Sequence, residues 1–102
     1  MKVKRIKALR VNSVNFDVIW NKDHNGASFD YNKRTLEFGV RTNDEADLWM
    51  LICHELWEMV ACEMHVRLHR PDCTTDYLFV YDHRQHDTMC NMFSALSSQF
   101  IK

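Results

Sequence analysis

The sequence predicts a single α+β domain over residues 1–102, with a small antiparallel sheet of three to four strands packed on two long helices. Three observations predict it. Apolar and polar residues alternate in short runs as far as residue 42. Beyond that point apolar residues recur every three or four positions in two blocks. Only 2 Gly and 1 Pro punctuate the chain, so its regular elements are joined by few tight turns.

The first strand is expected within Lys2 to Arg10, where Val3, Ile6 and Leu9 stand among Lys2, Lys4, Arg5, Lys7 and Arg10. This basic run reads as the solvated face of a strand rather than a nucleic-acid footprint, because the net charge of the chain is only -1. Val14 to Trp20 alternates β-branched and aromatic residues with polar ones and predicts a second strand. Asn25-Gly26 is a hairpin turn signal. Ser28 to Tyr31 and Thr35 to Val40 flank Asn32-Lys33-Arg34 and predict a second hairpin.

Thr42, Asn43 and Asp44 are then cap candidates for a helix with Glu45 in its first turn, where the helix dipole favours acids. That helix is expected from Ala46 to about His69, stopped by Pro71, with Leu48, Leu51, Ile52, Leu56, Met59 and Val60 inward. A loop over Asp72 to Asp76 and a β-rich Tyr77 to Tyr81 follow. Asp82 and Gln85 have capping-box spacing and predict a last helix from about His83 to Phe100.

No apolar run approaches the ~20 residues of a membrane span, and no apolar h-region follows the basic start, so neither membrane nor secretion is expected. Cys53, Cys62, Cys73 and Cys90 lack paired CxxC spacing. Cys53 and Cys90 read as buried thiols, and a reducing, cytoplasmic setting fits them.

His54, Glu55 and Glu58 carry the chemistry. In a helix, residues four apart project from one face, so His54 and Glu58 can reach a common point. Imidazole nitrogen and carboxylate oxygen are both zinc ligands. Glu55 is turned ~100° from His54, near enough to serve a general base beside the ion. A third ligand must come from another element. His65 lies ~16 Å further along the helix by rise, too far to share the ion. His83, at the start of the last helix, is the expected third ligand, with His86 and Asp87 as alternatives. Two carboxylates and an imidazole inside an apolar helix are costly without compensation, and a cation compensates them. A plain buried polar network in a metal-free helical adaptor is the competing reading.

The order of strands, Gly26 turn, Ser28-Phe29-Asp30-Tyr31, Leu36-Glu37-Phe38 and a His-Glu helix resembles the core of zincin-type metallopeptidases, including minimal SprT-like ones. Ile52 to Glu58, with Phe79 to His83, is also similar to small tailed-phage proteins carrying a His-Glu-x-x-Glu variant. The resemblance implies a zincin-like fold, a Zn²⁺ cofactor on His54, Glu58 and His83, Glu55 as catalytic base, and peptide hydrolysis. Because Glu58 replaces a histidine and 102 residues leave no second lobe, a non-catalytic, metal-stabilised interaction module of phage origin is the alternative. Either way the expected partner is a peptide or protein.

Overall fold

The computed structural model describes residues 2–70 and 73–102, with backbone alone for residues 73–75. The chain runs β1 (Ala8–Val11), β2 (Val14–Asn21), β3 (Ala27–Asp30), β4 (Thr35–Gly39), α1 (Glu45–Glu63), β5 (Arg67–Arg70), β6 (Cys73–Phe79) and α2 (His83–Ser97), closed by a 3₁₀ turn over Ser98–Phe100. β1 to β4 form one sheet in the order β1-β2-β4-β3, and β5 and β6 form a separate hairpin.

Alternation sets the faces of the sheet. Leu9, Val11, Phe16, Val18, Leu36 and Phe38 are buried on one side, while Arg10, Asn15 and Asp17 face water. Register brings Leu9 opposite Phe16, Val18 opposite Leu36 and Trp20 opposite Phe38. On this face pack Leu48, Ile52, Leu56, Met59 and Val60 of α1, with Met89 and Leu96 of α2 and Phe100. The basic residues Lys2, Lys4, Arg5, Lys7 and Arg10 are all exposed, as the solvated-face reading requires. Only Ala8–Val11 of that region is strand. Ahead of it, Val3 bridges Ile101, and its N–H donates to Glu45 Oε2 at 2.7 Å.

The sheet is not wholly antiparallel. β2 and β4 pair parallel, Asp17–Asn21 against Thr35–Gly39. The expected Asn25-Gly26 hairpin does not form, because neither residue takes the positive φ that a type I′ turn needs. Instead the chain after β2 crosses the end of β4 and descends as the edge strand β3. This crossing runs directly over Gly39, where a Cβ would collide with the His24 carbonyl. Gly39 N–H donates to the Gly26 carbonyl at 2.7 Å, and Arg41 N–H to that of His24 at 3.1 Å. Asn25 then exchanges hydrogen bonds with Thr42, tying the crossing to the start of α1.

The second hairpin is as predicted: β3 and β4 pair antiparallel, and the turn between them has Arg34 at φ 52°. Asp30 Oδ1 accepts from the N–H groups of Asn32 and Lys33, a local bond that shapes the turn.

Both helices start at capping boxes. Asp44 accepts from Asp47 N–H at 2.8 Å and Asp47 returns the bond to Asp44 N–H; Asp82 and Gln85 do the same for α2. Asp44→Ala is expected to lower unfolding free energy by about 1 kcal/mol. Urea titration measures this, and an unchanged midpoint would count against the cap.

α1 ends six residues before the expected His69. His65 takes φ 57°, its N–H donates to the Cys62 carbonyl, and Val66 N–H donates to that of Ala61. That pair of bonds is a Schellman stop with histidine in the left-handed position that glycine usually fills. Arg67–Arg70 is therefore strand, and β6 already begins at Cys73, within the expected loop. The expected stop at Pro71 and the loop start at Asp72 lie outside the described residues.

Candidate metal centre

Helix geometry alone brings three predicted residues together. Donor atoms of His54, Glu55 and Glu58 all lie within 4.8 Å of one another. Glu55 faces inward and is only 7% exposed, whereas His54 stands largely in solvent and Glu58 lies between these extremes. The helix thus presents one open donor, one half-covered donor and one buried acid along adjacent rows.

Glu58 is the hub. Its Oε2 is 3.1 Å from His54 Nε2, and its Oε1 is 3.7 Å from Arg67 Nη1. For a tetrahedral ion with the usual zinc–nitrogen and zinc–oxygen bond lengths, two such donors stand ~3.4 Å apart. The His54–Glu58 spacing is close to that, so small side-chain rotations seat one ion between them. The donor pair fits a zinc-class cation. Arg67 engages the other oxygen of the carboxylate, so the pair with Arg67 and the seat beside His54 do not compete for one atom.

Burial pushes the Glu55 carboxyl above its ordinary range, and the negative charge of Glu58 adds to this. His54 and Arg67 oppose it. Arg67 is held over the Tyr77 ring at 4.2 Å and the Phe29 ring at 5.3 Å. Ala27, Ser28 and Phe29 of β3 line a hollow with Glu55, Glu58, Arg67 and Tyr77. A second hollow, on the outer side, is lined by His54, Trp57, Glu58, Asp76, Tyr77 and Phe79. The edge strand β3 and the hairpin β5–β6 therefore both wall the helix motif.

His83 is not drawn into this cluster. Its side chain is 90% exposed and its Nδ1 lies 3.8 Å from Asp87 Oδ2, within α2. His86 stacks against Tyr81, with ring planes 11° apart. The third residue gathered beside His54 and Glu58 is Glu55, which the sequence gives as the expected base. Tyr77 borders both hollows. Arg84 is exposed on α2. Cys90, expected to be buried, is exposed, because it stands ~100° round α2 from buried Met89, on the solvent side.

Sequence reasoning missed Arg67. Its place beside Glu58 depends on α1 stopping at Glu63 so that β5 can turn back, and the only local signal for that stop is a histidine in an unusual conformation. Among the described residues, no helix is long and apolar enough to cross a membrane. Comparison with protein-family models, curated proteins and solved structures finds no match for this chain.

Proposed function

We infer that the protein is a zincin-like, zinc-dependent hydrolase acting on peptide bonds in a reducing, cytoplasmic setting. The observation that carries this reading is the gathering of one imidazole and two carboxylates within 4.8 Å among apolar residues in the middle of α1, with the middle acid buried. His54 and Glu58 are the metal ligands. When bound, zinc supplies the Lewis acidity that brings the pKa of water towards ~7. Glu55 takes the proton of the attacking water and returns it to the leaving nitrogen as the C–N bond breaks. Its raised proton affinity suits both halves of that exchange. Arg67 holds Glu58 in place through the oxygen that faces away from His54. The free thiols of Cys53, Cys62 and Cys90 accord with the cytoplasmic setting.

A test is cleavage of a broad peptide mixture by zinc-loaded protein. Cleavage is expected, lost on chelation and restored by stoichiometric zinc. Intact peptides after incubation with the loaded protein, or cleavage that survives chelation, would overturn the reading.

One observation favours a second reading, a metal-stabilised interaction module without turnover. Leu68 and Leu78 face each other across β5–β6, and both are more than 40% exposed, with Val80 and Tyr81 also open to solvent beyond the hairpin. An apolar sheet face of this kind suits protein contact. The module reading expects zinc to raise the melting temperature while the peptide mixture stays whole.

A further inference from the structure

α2 carries a second set of donors that the reading of α1 does not use. His83, His86, Asp87 and Cys90 occupy positions i, i+3, i+4 and i+7, one continuous stripe of a helix, and all four are exposed. None belongs to the hydrophobic core. Their arrangement is specific. Cys90 Sγ lies 3.6 Å from His86 Nε2. With zinc–nitrogen bonds of about 2.05 Å and zinc–sulfur bonds of about 2.3 Å, tetrahedral donors stand ~3.6 Å apart. Cys90 Sγ is also 4.0 Å from His86 Nδ1, so the thiol lies beside the ring, and a turn of the imidazole about its side-chain bonds aims Nε2 at a point shared with the sulfur.

Neighbouring groups hold the pair. The Tyr81 ring lies against the His86 ring, with centroids 6.0 Å apart. The His83 ring also lies near that of His86, with centroids 6.2 Å and planes 29° apart. Asp87 Oδ2 is 3.8 Å from His83 Nδ1. Closing that gap to hydrogen-bond distance would place the proton on Nδ1 and leave Nε2 as the free donor, the order in which carboxylate, histidine and metal follow in line. Among the described residues only the α1 trio already converges within 4.8 Å, so the α2 set closes when His83 and His86 turn about their side-chain bonds.

We propose that His86 and Cys90, with His83 as third donor and Asp87 behind it, form a second metal site on the exposed face of α2 that takes a borderline-soft divalent cation of the zinc class. Imidazole and thiolate together select zinc, cobalt or cadmium over magnesium or calcium, which prefer oxygen. On binding, the Cys90 thiol releases its proton to solvent and the metal–sulfur bond forms, so occupancy rises with pH. Open to water on one side, the site exchanges its ion readily.

Cobalt(II) is the probe, used on the full chain under reducing conditions. A thiolate–cobalt charge-transfer absorbance is expected, with an amplitude at saturation that corresponds to one thiolate-bound ion per chain. The α1 trio holds no sulfur, so this signal is independent of the reading given to α1 and is expected unchanged in His54→Ala. Cys90→Ser is expected to abolish the band, and His86→Ala or His83→Ala to weaken cobalt affinity by about tenfold or more. All three positions are exposed, so the fold survives, and far-ultraviolet circular dichroism checks that. Absence of the band at saturating cobalt, its persistence in Cys90→Ser, or wild-type affinity in His86→Ala would overturn the site. Wild-type affinity in His83→Ala would overturn the three-donor assignment.

Discussion

Glu55→Gln is expected to leave zinc bound at α1 and to reduce peptide hydrolysis by ~10²–10⁴-fold, the usual worth of a positioned general base. The amide matches the carboxyl in shape but accepts no proton at neutral pH. His54 and Glu58 keep their 3.1 Å spacing without it, so zinc content separates loss of the base from loss of the metal. Equal turnover by both proteins would remove Glu55 from catalysis. The base works only when ionised, and burial together with Glu58 raises its affinity for the proton. In chelator-treated protein the Glu55 carboxyl is therefore expected to titrate above the ordinary carboxylate range.

The same substitution has a second consequence for chelator-treated protein. A carboxyl whose folded pKa is raised opposes folding as pH climbs past the unfolded value, ~4.3 for glutamate, and opposes it fully above the raised value. Removing it is expected to increase the melting temperature more at pH 8 than at pH 4. An equal change at both pH values would mean that the burial of Glu55 does not disfavour its charge.

Gly39→Val carries the largest expected effect on stability, a loss of about 3 kcal/mol or more. Any Cβ at this position runs into the His24 carbonyl and comes within 2.5 Å of Asn25 Cα, and both are backbone atoms that cannot swing aside. Lifting the crossing strains the bonds from Gly39 to Gly26 and from Arg41 to His24. It also pulls on Asn25, which anchors Thr42 two residues before the α1 cap. Weaker zinc binding at α1 is thus expected beside the lower urea midpoint. Gly26→Ala is the control. Nothing lies within 4 Å of a Cβ there and φ is not positive, so its effect is expected within about 1 kcal/mol and of either sign. Similar losses for the two glycines would refute the close crossing at Gly39.

These expectations differ in how far the sequence alone supports them. The helix starts were legible because a capping box closes within four residues: Asp82 with Gln85 was read directly, and Asp44 stood among the cap candidates. The β3–β4 hairpin was legible from two β-rich runs around a short polar turn. The candidate site was legible for the same reason, since one turn of helix suffices to bring His54, Glu55 and Glu58 together.

Tertiary structure decided the rest. Alternation says that a segment is a strand but not which strand it pairs with, so the parallel β2–β4 pairing and the crossing over Gly39 lay beyond local pattern. The stop at His65 was hidden because no glycine marks it and the residues around it tolerate a helix. From that stop follow β5, the place of Arg67 beside Glu58, and the second wall of the site. The sequence by itself determined contacts that a single turn of backbone can close, because their geometry is set by the helix repeat and by hydrogen bonds between near neighbours. Sheet order, the partner of Glu58 and the separation of His83 from the α1 trio depend on chain segments far apart in sequence, where only packing of the whole core selects one arrangement.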